Sequence, residues 1–158
     1  MFRKMRRSPQ ALSSEEIADL LKKETRGVLS VQGDDGYPYG VPINHYYDEE
    51  TNKLYFHGAN FGHRVDAIKR DPKVSYCVFG QDYQKEGDWA KYVKSVIIFG
   101  KAELIEDIDE VIKWSVKLGH KFPCTEEYIR TEVEKDAKRT LCFSSEIENI
   151  NGKLVHEA

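Results

Sequence analysis

Cysteine is scarce in this 158-residue chain, and Cys77, Cys124 and Cys142 are odd in number, far apart and never in a Cys-x-x-Cys pair. That disfavours a disulfide framework and a structural zinc site, and it points to a reducing, cytoplasmic compartment. His120 and Cys124 stand four apart, but Phe122-Pro123 between them breaks any helix that would unite them, so no metal is expected. Long apolar runs are absent: none approaches the ~20 residues of a membrane span, and mean hydropathy is -0.62. An excess of positive charge is missing too. Twenty-four basic against 27 acidic side chains leave a net -3, without the basic field that nucleic-acid phosphates require. Arg3, Lys4, Arg6 and Arg7 form a basic tail over residues 1–10, and the polar residues that follow are not the apolar core of a secretion signal.

With 40% hydrophobic and 11% aromatic residues, the chain can build one core, and a single domain over residues 1–158 is expected. Residues 13–24 read as an amphipathic helix with a serine cap, the capping acid Glu16 and an apolar stripe of Ile17, Leu20 and Leu21. Strands follow at 27–31, 37–47 and 53–57, separated by the turn Gly33-Asp34-Asp35-Gly36 and a second turn at 48–52, which predicts a three-stranded meander. A short helix at 61–70 ends at Asp71-Pro72, and further strands are predicted at 73–79, 92–105 and 140–150. Gly100 inside the long strand marks a bend or a close neighbour. Residues 81–91 read as a surface loop carrying Trp89, which either rims a cleft or anchors the loop, and 108–119 and 125–135 read as helices. The fold class is therefore mainly β with peripheral helices, an antiparallel barrel of six strands linked mostly by hairpins.

The densest chemical signal is Phe56-His57-Gly58-Ala59-Asn60-Phe61-Gly62-His63-Arg64, which leaves a strand and enters a helix. Such a junction offers free backbone N–H groups and a positive helix end, while Gly58 and Gly62 permit close approach and Arg64 adds a forked donor, so it suits a phosphate. Turn glycines beside a solvated arginine would leave the same trace. A second feature is Gly36-Tyr37-Pro38-Tyr39-Gly40-Val41-Pro42-Ile43-Asn44. Two prolines confine this strand to an edge, where it either lines a groove or merely blocks aggregation.

In order and spacing, Met5-Arg6-Arg7, Gly36-Tyr37-Pro38, Pro42-Ile43-Asn44, Tyr55 to Ala59, Gly62-His63-Arg64, Ser95-Val96, Phe99 to Ala102 and Ile150 to Lys153 resemble one family. It is the pyridoxamine 5'-phosphate oxidase-like, flavin-binding split-barrel superfamily, and within it the chain looks most like the nitroimidazole-resistance (Nim-type) group. The resemblance implies a six-stranded antiparallel split β-barrel, a homodimer, and FMN in each of two clefts at the subunit interface. It places Tyr39, Val41, Pro42, Ile43 and Asn44 along the isoalloxazine. His57, Gly58 and Ala59 become the neighbouring wall, and Asn60, Gly62, His63 and Arg64 surround the phosphate; Ser95 joins the cofactor contacts. Many relatives carry lysine where this chain has Arg64. His57 corresponds to the substrate-proximal histidine, and a side chain titrating near neutrality there could pass a proton to a substrate.

The chain lacks the C-terminal arginine- and tryptophan-containing segment that holds the substrate phosphate of true pyridoxamine 5'-phosphate oxidases, which disfavours vitamin B6 oxidation. The resemblance implies instead an FMN-dependent oxidoreductase acting on a small planar electrophile such as a nitroaromatic. Two alternatives share the fold. One is a non-catalytic flavin or haem module, with His57, His63 and His120 as conceivable axial ligands. The other is a user of deazaflavin F420, whose anionic tail would call for more cleft cations than the sequence identifies.

Overall fold

The computed structural model describes residues 1–157. Helix α1 (Ser14–Lys23) starts from a complete capping box: Glu16 N–H donates to Ser13 Oγ at 3.2 Å, and Ser13 N–H donates to Glu16 Oε2 at 2.9 Å. These bonds satisfy two backbone donors at the helix start. The helix buries Ala18, Leu20 and Leu21 and ends as Glu24 N–H reaches back to Leu20 O.

Strands β1 (Arg26–Gln32) and β2 (Pro38–Asn44) form the expected hairpin, turning through Asp35 at φ 53° and Gly36 at φ 79°. Next come β3 (Tyr46–Asp48), β4 (Lys53–Ala59), helix α2 (His63–Arg70), β5 (Lys73–Phe79), the short β6 (Tyr83–Gln84) and the long β7 (Lys91–Ile105). Helices α3 (Ile108–Gly119) and α4 (Glu126–Asp136) precede β8 (Thr140–Glu157). Among the described residues no helix is long and apolar enough to cross a membrane.

All eight strands join one antiparallel sheet in the order β2-β1-β5-β7-β8-β4-β3, with β6 pairing β7. Six are long, as expected. The two short ones correct the count: β3 was read as the end of β2, and β6 lies in the stretch read as loop. β8 also runs to Glu157, past the expected stop at residue 150.

The three-stranded meander is not formed. β4 pairs with β8, not with β2, because the chain breaks at His45. That residue is fully buried, and its N–H donates to Thr25 O at 3.2 Å, the last bond in the β1–β2 register. Beyond it the chain leaves β1, and the β3–β4 hairpin lies at the other end of the sheet.

Inward residues of both sheet ends share one core, with Leu29, Leu54, Phe56, Tyr76, Val78, Val96, Ile98 and Phe143 nearly or wholly buried beside Leu21 of α1. Each large apolar side chain removed from water contributes about 1.5–3 kcal/mol. A second cluster, Tyr55, Val111, Trp114 and Cys142, packs α3 on the outer face of β4 and β8. Gly100 sits at a bulge, and a Cβ there would lie 2.0 Å from Glu146 O, so both the bend and the close neighbour are real.

Candidate functional site

Sheet order separates β2 from β4 by four strands, yet Pro42, Ile43 and Asn44 of β2 and His57 of β4 line one groove of about 380 Å³ together with Arg26. The sheet has therefore curled until its ends face each other across an open seam. β2 is the edge strand on this side, and Pro42, opposite Val28, is tolerated because no further strand needs its missing donor. Tyr39 and Val41 are partly buried, with their side chains packed against the core. The sequence reading missed Arg26. Its Nε donates to Asn44 Oδ1 at 3.0 Å, and counting back from the 33–36 turn would have placed the two opposite each other.

Downstream of the groove, β4 ends in Gly58 and Ala59, and Gly62, at φ 109° and ψ 175°, turns the chain into α2. Only glycine adopts that angle freely. No side chain caps α2, so its first N–H groups carry no capping bond. Arg64 folds back over β4: Nη2 donates to Ala59 O at 3.3 Å, and the guanidinium carbon lies 5.6 Å from the Phe143 ring centre. A Cβ on Gly58 would stand 2.4 Å from Nη2. Arg64 Nε is buried without a hydrogen-bond partner, and no carboxylate pairs with this cation among the described residues. Burial lowers its pKa, opposed by Tyr39. A half-buried guanidinium with spare donors, a glycine beneath it and an uncapped helix start fit a phosphate monoester.

His63 stacks on Tyr39 with ring centres 4.2 Å apart, and its Nε2 lies 3.5 Å from Asp34 Oδ2 without hydrogen-bond geometry. It thereby ties the start of α2 to the β1–β2 turn. Asn60 donates its N–H to Arg139 O at 3.3 Å and opens on a different hollow, beside Leu104, Lys138 and Thr140. His57 is half-buried, and burial first, then the Arg64 cation, pushes its pKa below the ordinary histidine value. Both causes favour the neutral ring over the charged one.

Ser95 is not among the residues that line this groove. Through β5 and β1 its register nevertheless leads to Arg26, two strand spacings or ~10 Å away across the sheet. Ser95 stands opposite Phe79 on an outer sheet face where Phe79, Ile97 and Phe99 are 58%, 43% and 40% exposed. Trp89 is 74% exposed and anchors nothing. His120 pairs with Glu126 beyond α3.

A sequence model of the family described as pyridoxamine 5'-phosphate oxidase matches residues 13–154. No curated protein matches the chain in sequence. Among solved structures it is similar to a proposed 5-nitroimidazole antibiotic resistance protein of Bacteroides thetaiotaomicron, at 16% identity and TM-score 0.75, covering 92% of this chain and 87% of that one. An FAD-binding protein of Mesorhizobium loti aligns at 22% identity and TM-score 0.64 over 92% and 97% of the two chains. An FAD and heme binding protein of Mycobacterium smegmatis aligns at 22% and 0.74 over 92% and 72%. At these identities the structures share the fold.

Proposed function

The chain belongs to the pyridoxamine 5'-phosphate oxidase family, and on that footing we propose that it is an FMN-dependent oxidoreductase that reduces a small planar electrophile such as a nitroaromatic. The observation that carries the flavin reading is Arg64, a half-buried guanidinium with an unpartnered Nε, folded over the one residue type that leaves it room. Arg64 and the start of α2 would hold the phosphate. The edge of β2 from Tyr39 to Asn44 offers main-chain groups to a planar polar ring, and Arg26 adds a cation beside them.

Bound flavin would supply two-electron chemistry, taking up hydride while negative charge develops on the polar edge of its ring. Arg26, positioned by Asn44, is suited to stabilise charge there. His57 closes the adjoining wall, where its ring is able to donate a hydrogen bond to a bound acceptor. The acceptor class follows the Nim-type resemblance.

We place the cofactor at the interface of a homodimer. The exposed apolar face of β5 and β7, which carries Ser95, is the surface suited to a second copy. The test is the visible spectrum of the protein after incubation with FMN and removal of free ligand. A two-band flavin spectrum is expected, followed by oxidation of a reduced nicotinamide when a nitroaromatic is added. No retained chromophore would overturn the cofactor reading. A flavin spectrum without turnover across a panel of acceptors would make the chain a binding module.

A further inference from the structure

Next along the chain from the Asn44 end of the groove lies a buried polar cluster that the flavin reading leaves unused. His45, with no exposed surface, places Nε2 2.7 Å from Leu21 O and Nδ1 2.9 Å from the Tyr76 hydroxyl. Tyr76 is 1% exposed, and its hydroxyl also lies 2.9 Å from Ile43 O, to which it can donate its single hydrogen. The third member comes from the turn after α3. Lys121 Nζ donates to Leu21 O at 3.1 Å, Glu24 O at 2.5 Å and His45 O at 3.0 Å. Three ammonium hydrogens meet three main-chain carbonyls, and no carboxylate pairs with the charge among the described residues.

The carbonyls belong to two separate pieces of backbone, the end of α1 and the bend between β2 and β3. A cation is favoured at a helix C-terminus, where carbonyls lack partners, so the lysine suits its place electrostatically. Its position along the chain gives it a further role. His45 follows Asn44 directly, and Thr25, which accepts the His45 N–H, directly precedes Arg26. The residues stitched together by Lys121, or bonded to those it stitches, therefore flank the Arg26–Asn44 pair that lines the groove.

We propose that Lys121 is a positioning residue for the cofactor groove: by binding the end of α1 to the bend at His45, it holds Arg26 and Asn44 in register and couples the α3–α4 hairpin to the site. The proposal rests on the flavin reading for its consequence, not for its geometry. An apolar side chain of equal length could cover the same surface, but it would remove the ammonium donor from all three carbonyls and leave Leu21 O only its contact with His45 Nε2. Losing hydrogen bonds from a charged donor costs enough to open such a bend locally while the shared core stays intact.

Lys121→Met tests this by two independent readouts, with Lys113→Met, a lysine over Trp114 that does not touch the bend, as control. Amide hydrogen exchange at Arg26 and at Asn44 to Tyr46 is expected to accelerate about tenfold or more, with the β7–β8 ladder unchanged. FMN dissociation constants should rise about tenfold for Lys121→Met and stay at the wild-type value for Lys113→Met. Unchanged exchange at Asn44 to Tyr46 would overturn the proposal, and so would faster exchange with unaltered FMN affinity. Should the wild-type chain bind no FMN, the flavin reading falls while the exchange arm still decides whether Lys121 holds the bend. If Lys121→Met does not fold, temperature-dependent exchange on the wild type replaces it. Residues 119–122 and 43–46 must then open as one unit below global unfolding, and independent opening refutes the coupling.

Discussion

Arg64 occupies the space that a side chain at Gly58 would need: a Cβ on residue 58 would stand 2.4 Å from its Nη2. The two positions therefore act as one. Gly58→Ala should push the guanidinium off β4 and weaken FMN binding about 10- to 100-fold, the range of a hydrogen bond to a charged group, and Arg64→Ala should do the same. Fluorescence titration of FMN reads both. Wild-type affinity in Arg64→Ala would remove Arg64 from the site.

Stability should fall with pH in a window set by buried imidazole. Burial first, then the Lys121 charge, lowers His45 from its ordinary 6.5 to about 3. Below pH 6.5 the unfolded chain takes up a proton that the folded chain refuses, so stability present above that pH is lost as pH falls toward 3. The slope from one such group approaches ~1.4 kcal/mol per pH unit. His57 acts in the same direction. Urea unfolding at pH 7, 6 and 5 should therefore show a smaller loss in His45→Gln than in the wild type, and equal losses would exclude His45 as the source.

Gly100→Ala should be among the more damaging single changes in the sheet. The added methyl meets the Glu146 carbonyl at 2.0 Å, and two paired strands must part to admit it. A loss of about 1–3 kcal/mol is expected. Gly36→Ala, in open space at φ 79°, bears only backbone strain and should cost about 1 kcal/mol. Thermal unfolding of the two variants checks the order.

The outer face of β5 and β7 can be tested without any cofactor. Sedimentation of the wild type should give a dimer, and Ile97→Glu, which sets a charge amid Phe79 and Phe99, should give a folded monomer. A monomeric wild type would overturn the shared-interface reading of the cofactor site.

Local elements were legible wherever a short stretch carried its own signal. β5 and α3 begin and end at the expected residues because Asp71-Pro72, the Asp107 cap and clear periodicity delimit them. The junction from β4 into α2 was legible for the same reason, since glycines beside a strand end speak locally. The meander failed because β4 finds its ladder partner in β8, more than eighty residues on, a pairing that no local pattern announces. Lys121 was invisible for a similar reason: its partners are main-chain carbonyls, which carry no identity in a sequence.

The pairing of β4 with β8 has a consequence in time. His57 leaves the ribosome long before Cys142, its neighbour in the ladder, exists. The hairpin of β1 and β2 can close during synthesis, but one wall of the seam must wait for the last strand of the chain. Such late, non-local closure is slow and leaves β4 unpaired meanwhile. A nascent chain thus has no groove to fill, and truncation within β8 would abolish the ligand site rather than trim it.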